Sequence, residues 1–469
     1  MTEPSSGGVQ QVARVGGNTI DTGTIPIVFV PGIMGSRLHF TKIKRYWDPD
    51  HTISRMRHWL LSSADRVRRD FRVNAASNPV EVMTDGDQLS ASQRERGWGG
   101  VAWGFYGSLL EHLEGQRYGA YDTPVYAIGY DWRQGNDHSG AAIATRIEEI
   151  LAEQDAERFI LLSHSMGGLA TRAALKGNAE VAGKLAGVCH IAQPVTGAAV
   201  AVRRMFTGAT FSGDGLAMMA LLGSNRQKFQ TICSALPGAM QLLATQDFTK
   251  TDGSWWYTYR TFEEPEVDRA WEGLCWSLYA QPQSPPGLLA PADSRHAIAA
   301  VPRREFNRRL AEARAFHMGM GLWKHANTWT FYGTGNTTDT SLHFELPPVE
   351  AKLSLLSTAM HSLNPFTEDI RYKARRADGS EVSVPGSEVD PSDRGCVMQR
   401  SDKSDGTVPV ASAKALFGGA THEYASGTAY DYETQRQFYA DGGEAHDQIC
   451  ADPKCVAFLD DLITHLVGS

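Results

Sequence analysis

Apolar positions along the chain change period several times, and each change marks an element. Ile25–Val30 and Phe159–Leu162 are short, nearly continuous apolar runs, as expected of strands buried on both faces of a parallel sheet. Val125–Ile128, Val188–Ala192 and Trp329–Tyr332 also read as strands. Between them the apolar spacing switches to three and four. Gly104–Leu113, Gly140–Gln154 and Leu169–Lys176 read as helices, and Ile53, Met56, Leu60, Ala64, Val67 and Phe71 predict one helix over Thr52–Phe71. This alternation predicts a mostly parallel sheet flanked by helices and joined by right-handed crossovers. Weaker alternation about Gly16-Gly17 predicts a hairpin over Val9–Ile20.

The rhythm breaks between residues 196 and 321. That segment holds an apolar helix around Gly215–Leu222, a Trp-rich stretch at Trp255–Trp276 and the Pro-rich Gln281–Pro291. It reads as a cap and lid inserted between a first core part, 1–195, and a second, 322–469. Within it, Thr196–Leu243 combines many glycines with an apolar face at Leu216, Met218, Met219, Leu221 and Leu222. A mobile lid and a rigid cap helix both fit that pattern. A second, polar insertion over 339–394 is expected to carry a small hairpin. Val397–Arg400 and Ala420–Tyr424 read as strands, and Val456, Leu459, Leu462, Ile463 and Leu466 form one stripe of a last helix, Pro453–Leu466.

Composition narrows the class. The chain has 469 residues and a formal charge of −8, which argues against a nucleic-acid partner. It contains no secretory h-region and no run of about 18 apolar residues, so the expected location is cytoplasmic. One segment departs from the average. Residues 42–72 hold nine Lys or Arg (Lys42, Lys44, Arg45, Arg55, Arg57, Arg66, Arg68, Arg69, Arg72) against Asp48, Asp50, Asp65 and Asp70, a local balance of +5. With Trp47 and Trp59 beside it, this stretch suits peripheral docking on an anionic membrane. A solvated helix packed on the sheet suits it equally. Six scattered cysteines read as free thiols, with Cys450 and Cys455 the one pair near enough in sequence to test.

The chemistry gathers after Phe159–Leu162. Ser163-His164-Ser165-Met166-Gly167-Gly168 links a strand to a helix through small residues, the setting of a nucleophile elbow. Such a turn lifts Ser165 Oγ clear of the backbone and frees the Met166 amide to bind an oxyanion. A serine hydroxyl needs a base to take its proton and a carboxylate to orient that base. In the α/β-hydrolase order both follow the serine, acid first. Asp405 in Ser404-Asp405-Gly406-Thr407 and His446 in Glu444-Ala445-His446-Asp447 occupy those places, with Asp402 and His422 as weaker candidates. The second oxyanion donor belongs on the loop after the early strand, at the Ile33 amide within Gly32-Ile33-Met34-Gly35. No metal or organic cofactor is needed for this chemistry.

Several stretches together resemble the lecithin:cholesterol acyltransferase family. Val30-Pro31-Gly32-Ile33-Met34-Gly35-Ser36-Arg37-Leu38 is similar to the family's opening motif, and Tyr130-Asp131-Trp132-Arg133 to its Y-D-W-R. Ser163–Gly168 resembles its G-H-S-M-G-G with Ser for the first Gly, and Leu236-Pro237 its motif after the lid. Tyr332-Gly333-Thr334-Gly335, Asp405–Pro409 and Ala445-His446 follow in the family's order. The resemblance implies an α/β-hydrolase with a cap and lid, acting on lipid acyl esters through an acyl-serine at Ser165, with Asp405, His446 and the Ile33 and Met166 amides in the roles given above. Met34 and Trp132, inside the first two motifs, are expected to contact substrate. Transfer to water makes the protein a phospholipase or lipase. Transfer to an alcohol such as a sterol or diacylglycerol makes it an acyltransferase. A binding protein with a degenerate site is the alternative from another class.

Overall fold

The structure is a computed structural model that describes residues 13–15, 18–20, 23–73, 78–86, 88–209, 222–223, 225–261, 269–270, 276, 279, 288–289, 297–346, 371–375, 381–385 and 397–468. Its centre is a seven-stranded sheet. The strands are β1 (Ile27–Val30), β2 (Val125–Ala127), β3 (Phe159–His164), β4 (Leu185–Ile191), β5 (Thr328–Gly333), β6 (His422–Glu423) and β7 (Gln437–Ala440). The spatial order is β6-β7-β5-β4-β3-β1-β2, and every neighbouring pair is parallel. All four residues of β1 and all six of β3 are buried, as their continuous apolar runs require.

Helices cover both faces. On one, α1 (Trp103–Gly115) and the last helix, α6 (Pro453–Gly468), pack on Phe29, Leu162, Ile191 and Phe331. On the other, α2 (Asn136–Glu153) and α3 (Met166–Gly177) pack on Val28, Val30, Leu161 and Val188. The alternating sides of successive strand residues thus give two separate cores. The chain enters at β1, runs to the β2 edge, then crosses back to β3. The sheet therefore switches direction between β1 and β3, the place at which parallel sheets of this kind bind their ligands.

Other segments differ from the sequence expectation. Thr52–Phe71 is not one helix but three pieces, Thr52–Arg55, Arg57–Leu60 and Ala64–Phe71. The second break is made by Ser62-Ser63; the first falls at Met56. Ser62 Oγ donates to the His58 carbonyl at 2.7 Å, and Ser63 turns extended to cap a new helix at the Arg66 amide. Met56, Trp59, Val67 and Phe71 still reach the core, so the period is satisfied across the break. Val397–Arg400 belongs to a longer strand, Val397–Ser404, outside the central sheet. It pairs antiparallel with Asn336–Leu346, so that Ser404 lies opposite Asn336, just beyond β5. Strand β7 went unread because Gln437-Phe438-Tyr439-Ala440 is short and begins polar, and Ala420–Tyr424 shrinks to the two residues of β6.

The N-terminal hairpin forms between Ala13–Val15 and Asn18–Ile20, and the small hairpin of the second insertion between Arg371–Arg375 and Glu381–Pro385. The expected apolar helix at 215–222 lies, apart from its end, outside the described residues, as do Trp271 and most of 281–291. Cys450 and Cys455 are both buried, free thiols, so that pairing is not made.

Candidate active site

Ser165 follows β3 and precedes α3, with φ 52° and ψ −127°. A non-glycine residue holds such a conformation only where its surroundings enforce it. Two bonds do so here. The Ser165 amide donates to the Ile191 carbonyl at 2.9 Å, and its carbonyl accepts from Gly168 at 3.0 Å. The next residues are small for a steric reason. A Cβ on Gly167 would strike the Pro31 carbonyl after β1, and one on Gly168 would meet Gln193 Cγ at 2.6 Å.

His446 lies on the loop after β7 and meets Ser165. Its Nε2 is 2.8 Å from Ser165 Oγ, and its Nδ1 is 2.7 Å from Asp405 Oδ2. Since a carboxylate only accepts, Nδ1 donates to Asp405 and Nε2 is left to accept the serine proton. Asp405 is buried, and its other oxygen accepts from the Thr407 and Val408 amides at 2.9 and 2.7 Å. The backbones are tied as well, because the His446 amide donates to the Asp405 carbonyl at 2.8 Å. Asp405 is presented by the antiparallel excursion Asn336–Ser404, which returns the chain beside β5. His422, by contrast, stands on edge strand β6 near Gln435 and Phe438, and Asp402 is paired in a strand with Thr338.

The loop above β1 closes as a turn, with the Gly35 amide donating to the Gly32 carbonyl at 3.1 Å. Met34 takes φ 62° within it, and Trp47 Nε1 holds the Met34 carbonyl at 2.9 Å. Among the described residues neither the Ile33 nor the Met166 amide donates to another protein group. The Met166 amide also opens the twelve-residue helix α3, whose dipole favours negative charge at that end.

Trp132 is fully buried, its ring edge-on to Trp47 at 5.3 Å between centroids and close to Phe71. Its motif is braced by Arg133, whose Nε donates to Asp131 Oδ1 at 2.7 Å and whose guanidinium lies over Phe40. Gly238, after Leu236-Pro237, docks on this loop by donating to the Arg133 carbonyl at 3.2 Å.

Three contributors escaped the sequence reading. Tyr106 on α1 bonds both to the Gly32 amide and to His164. His164 Nε2 bonds to the His446 carbonyl at 2.9 Å. Asp452 accepts from the Glu444, Lys454 and Cys455 amides, which fastens the His446 loop to the start of α6. Only His164 carried a signal, by adjoining Ser165. A Tyr within an aromatic helix and an Asp before Pro453 look like core and cap.

The parallel sheet flanked by helices, with its switch point between β1 and β3, defines the class: the chain has the α/β-hydrolase fold. Residues 90–270 match the family model of lecithin:cholesterol acyltransferase, in agreement with the resemblance read from the motifs. The crystal structure of the Tle4-Tli4 complex has the same fold over almost the full length, with 18% identity and a TM-score of 0.67, covering 95% of this chain and 99% of that one. A cutinase-like protein from Cryptococcus sp. (15% identity, TM-score 0.19, 38% of this chain and 58% of that one) and the mature Bacillus licheniformis lipase BlEst2 (15%, 0.22, 52% and 68%) overlap too loosely to carry an argument. No curated protein matches the chain in sequence.

Proposed function

We propose that the protein is a serine-dependent lipid esterase, of phospholipase or lipase type, working through an acyl-serine at Ser165. The single observation that carries this reading is His446, whose two ring nitrogens reach Ser165 Oγ at 2.8 Å and Asp405 at 2.7 Å. As Oγ attacks the ester carbonyl, His446 Nε2 takes its proton, and Asp405 orients the ring and stabilises the imidazolium. The Ile33 and Met166 amides receive the charge that develops on the carbonyl oxygen. His446 then protonates the departing alcohol. Water, deprotonated by the same histidine, attacks the acyl-serine, and His446 returns that proton to Ser165 Oγ as the acyl–oxygen bond breaks and the fatty acid leaves. An alcohol in place of water gives acyl transfer, a second reading favoured by the family match over residues 90–270.

The basic segment supports peripheral membrane contact as part of the same proposal. Leu61 is 87% exposed at the turn between two short helices, and exposed Arg57, Arg66 and Arg69 stand near it in sequence. Among the described residues, Lys42, Lys44, Arg45, Arg57 and Arg69 make no ion pair, and of these only Arg45 and Arg69 lie in the field of Asp70, so the group can meet anionic headgroups. Met34 and Trp132 serve as buried walls of the substrate site. A covering role for Thr196–Leu243 rests on its composition. It requires the amides of 207–222 to exchange more slowly once an alkylphosphonate occupies Ser165, and unchanged exchange would remove it.

The deciding experiment incubates the protein with mixed phospholipids, with and without an alcohol acceptor, and identifies products by mass. Free fatty acid supports hydrolysis, and a new ester supports transfer. Absence of both, together with no fluorophosphonate labelling of Ser165, would leave the degenerate binding protein.

A further inference from the structure

Two residues outside the Ser165–His446–Asp405 set join its parts by a chain of hydrogen bonds whose directions are all forced. The His446 carbonyl can only accept, so His164 Nε2, 2.9 Å away, carries a proton. In a neutral imidazole Nδ1 is then an acceptor, and the Tyr106 hydroxyl at 3.0 Å donates to it. That leaves the Tyr106 oxygen to accept from the Gly32 amide at 3.1 Å. Burial pushes the His164 pKa well below its ordinary value and the Tyr106 pKa well above, so both hold the neutral forms the chain requires.

The packing is tight around these bonds. The His164 ring stacks obliquely on His446 at 4.8 Å between centroids, and Tyr106 lies edge-on to His164 at 5.7 Å and against Phe29 at 4.9 Å. Both glycines of the loop after β1 make room for this arrangement. A Cβ on Gly35 would fall 2.6 Å from the Tyr106 oxygen, and one on Gly32 would fall 2.9 Å from Ser165 Cβ and 3.2 Å from His164 Nδ1.

We propose that Tyr106 and His164 are positioning residues that hold the oxyanion loop and the backbone of His446 in one fixed frame about Ser165. The inference rests on the proposed serine mechanism. Neither residue touches the reacting atoms. His446 is gripped at its amide by the Asp405 carbonyl and at its own carbonyl by His164. The Gly32 amide is gripped by Tyr106, one residue before the Ile33 donor. Loss of the strut lets loop and base drift independently, and ångström-scale misplacement of reacting groups costs on the order of 100-fold in rate.

The test is a double-mutant cycle on Tyr106→Phe and His164→Ala, with turnover of a short-chain aryl ester, phosphonylation rate by a fluorophosphonate, and urea midpoint measured on each variant. We expect each single variant to lose about 10- to 100-fold in kcat with KM changed less than about threefold, and phosphonylation to slow in parallel. The double variant should be no slower than the slower single, since either change already breaks the chain. Should His164→Ala not fold, His164→Gln takes its place. Ordinary core packing would instead lower the urea midpoint and leave kcat per folded molecule unchanged. Wild-type kcat in Tyr106→Phe, or losses that multiply in the double variant, would overturn the proposal. Ser165→Ala runs in the same series. Persistent activity there defeats the serine mechanism itself, whereas a dead, unlabelled Ser165→Ala beside wild-type Tyr106→Phe defeats only the strut.

Discussion

Ser165 and Met34 are both non-glycine residues with positive φ, at 52° and 62°, on the loops that follow the neighbouring strands β3 and β1. Strain of this kind survives only where neighbours over-determine the backbone. Around Ser165 those neighbours are β4 and Gly168, and around Met34 they are the Gly32–Gly35 turn and Trp47. Removing the hydroxyl leaves this scaffold intact, so Ser165→Ala should fold normally, lose roughly three or more orders of magnitude in kcat and no longer take up a fluorophosphonate. Asp405→Asn keeps the volume but not the charge. The two amides that Asp405 Oδ1 accepts from compel the new carboxamide to turn its oxygen toward them and its NH2 toward His446 Nδ1. His446 then takes the wrong tautomer, and kcat should fall by about 10⁴ with little change in KM, read from steady-state kinetics.

At the scale of elements, the site depends on how loops are fastened to helices. The His446 loop is anchored by Asp452, which accepts from Glu444 at 3.0 Å and from Lys454 and Cys455 at 2.8 and 3.1 Å. Asp452→Ala should cost about 1–2 kcal/mol in urea unfolding through the lost cap, and should lower kcat as well, because the same carboxylate fixes the loop. A stability loss with unchanged kcat per folded molecule would separate the two. The segment 64–72 is fastened to α5 (Ala300–Met320), where Glu305 takes Arg68 at 2.5 Å and Arg72 at 2.8 Å. These two arginines therefore serve the fold. The bases left unpaired and exposed Leu61 are the ones to change in a vesicle assay. Leu61→Asp should weaken binding to phosphatidylserine-containing vesicles roughly tenfold or more, the worth of one buried leucine side chain, and added salt should weaken the wild type too. Binding indifferent to both would make the segment a solvated face.

The whole molecule buries histidines it keeps neutral, and this sets its response to acid. Burial depresses the pKa of His190 to about 3 and that of His317 to about 4. The unfolded chain protonates both below about 6.5, while the folded chain does not. The unfolded state thus binds more protons, and stability is complete above pH 6.5 and declines as pH falls toward 4 and 3. Each group contributes about 1.4 kcal/mol per pH unit once well below 6.5, so the pair should remove about 3 kcal/mol between pH 6.5 and 5 in urea titrations. His190→Gln should remove only the His190 share, about 1.4 kcal/mol per pH unit, and leave the slope carried by His317 and by the other depressed histidines, His58 and His164. His190 sits under the nucleophile, with Nδ1 at 2.7 Å from Ser163 Oγ, so this acid sensitivity is built into the same sheet that carries the site.

Local pattern along the chain encodes a good part of this protein. Runs buried on both faces announced β1 and β3, amphipathic spacing announced α1, α2 and α6, and small residues about Ser165 announced the turn. The order of Ser165, Asp405 and His446 and the spacing of the Pro31–Leu38 and Tyr130–Arg133 motifs were enough to nominate the site. The rest came from folding, because the contacts that matter join residues far apart in the chain. It set Asp405 at the end of an antiparallel excursion rather than after a core strand, since Ser404 pairs with Asn336. It broke Thr52–Phe71 at Met56 and again at two serines whose hydroxyls compete for the backbone. It also made His164 and Tyr106, which look like a spare histidine and a core aromatic, into partners of the Gly32 amide and the His446 carbonyl. Periodicity records which side of an element faces inward. It does not record which polar group waits on the other side, and that is where the frame of this site is made.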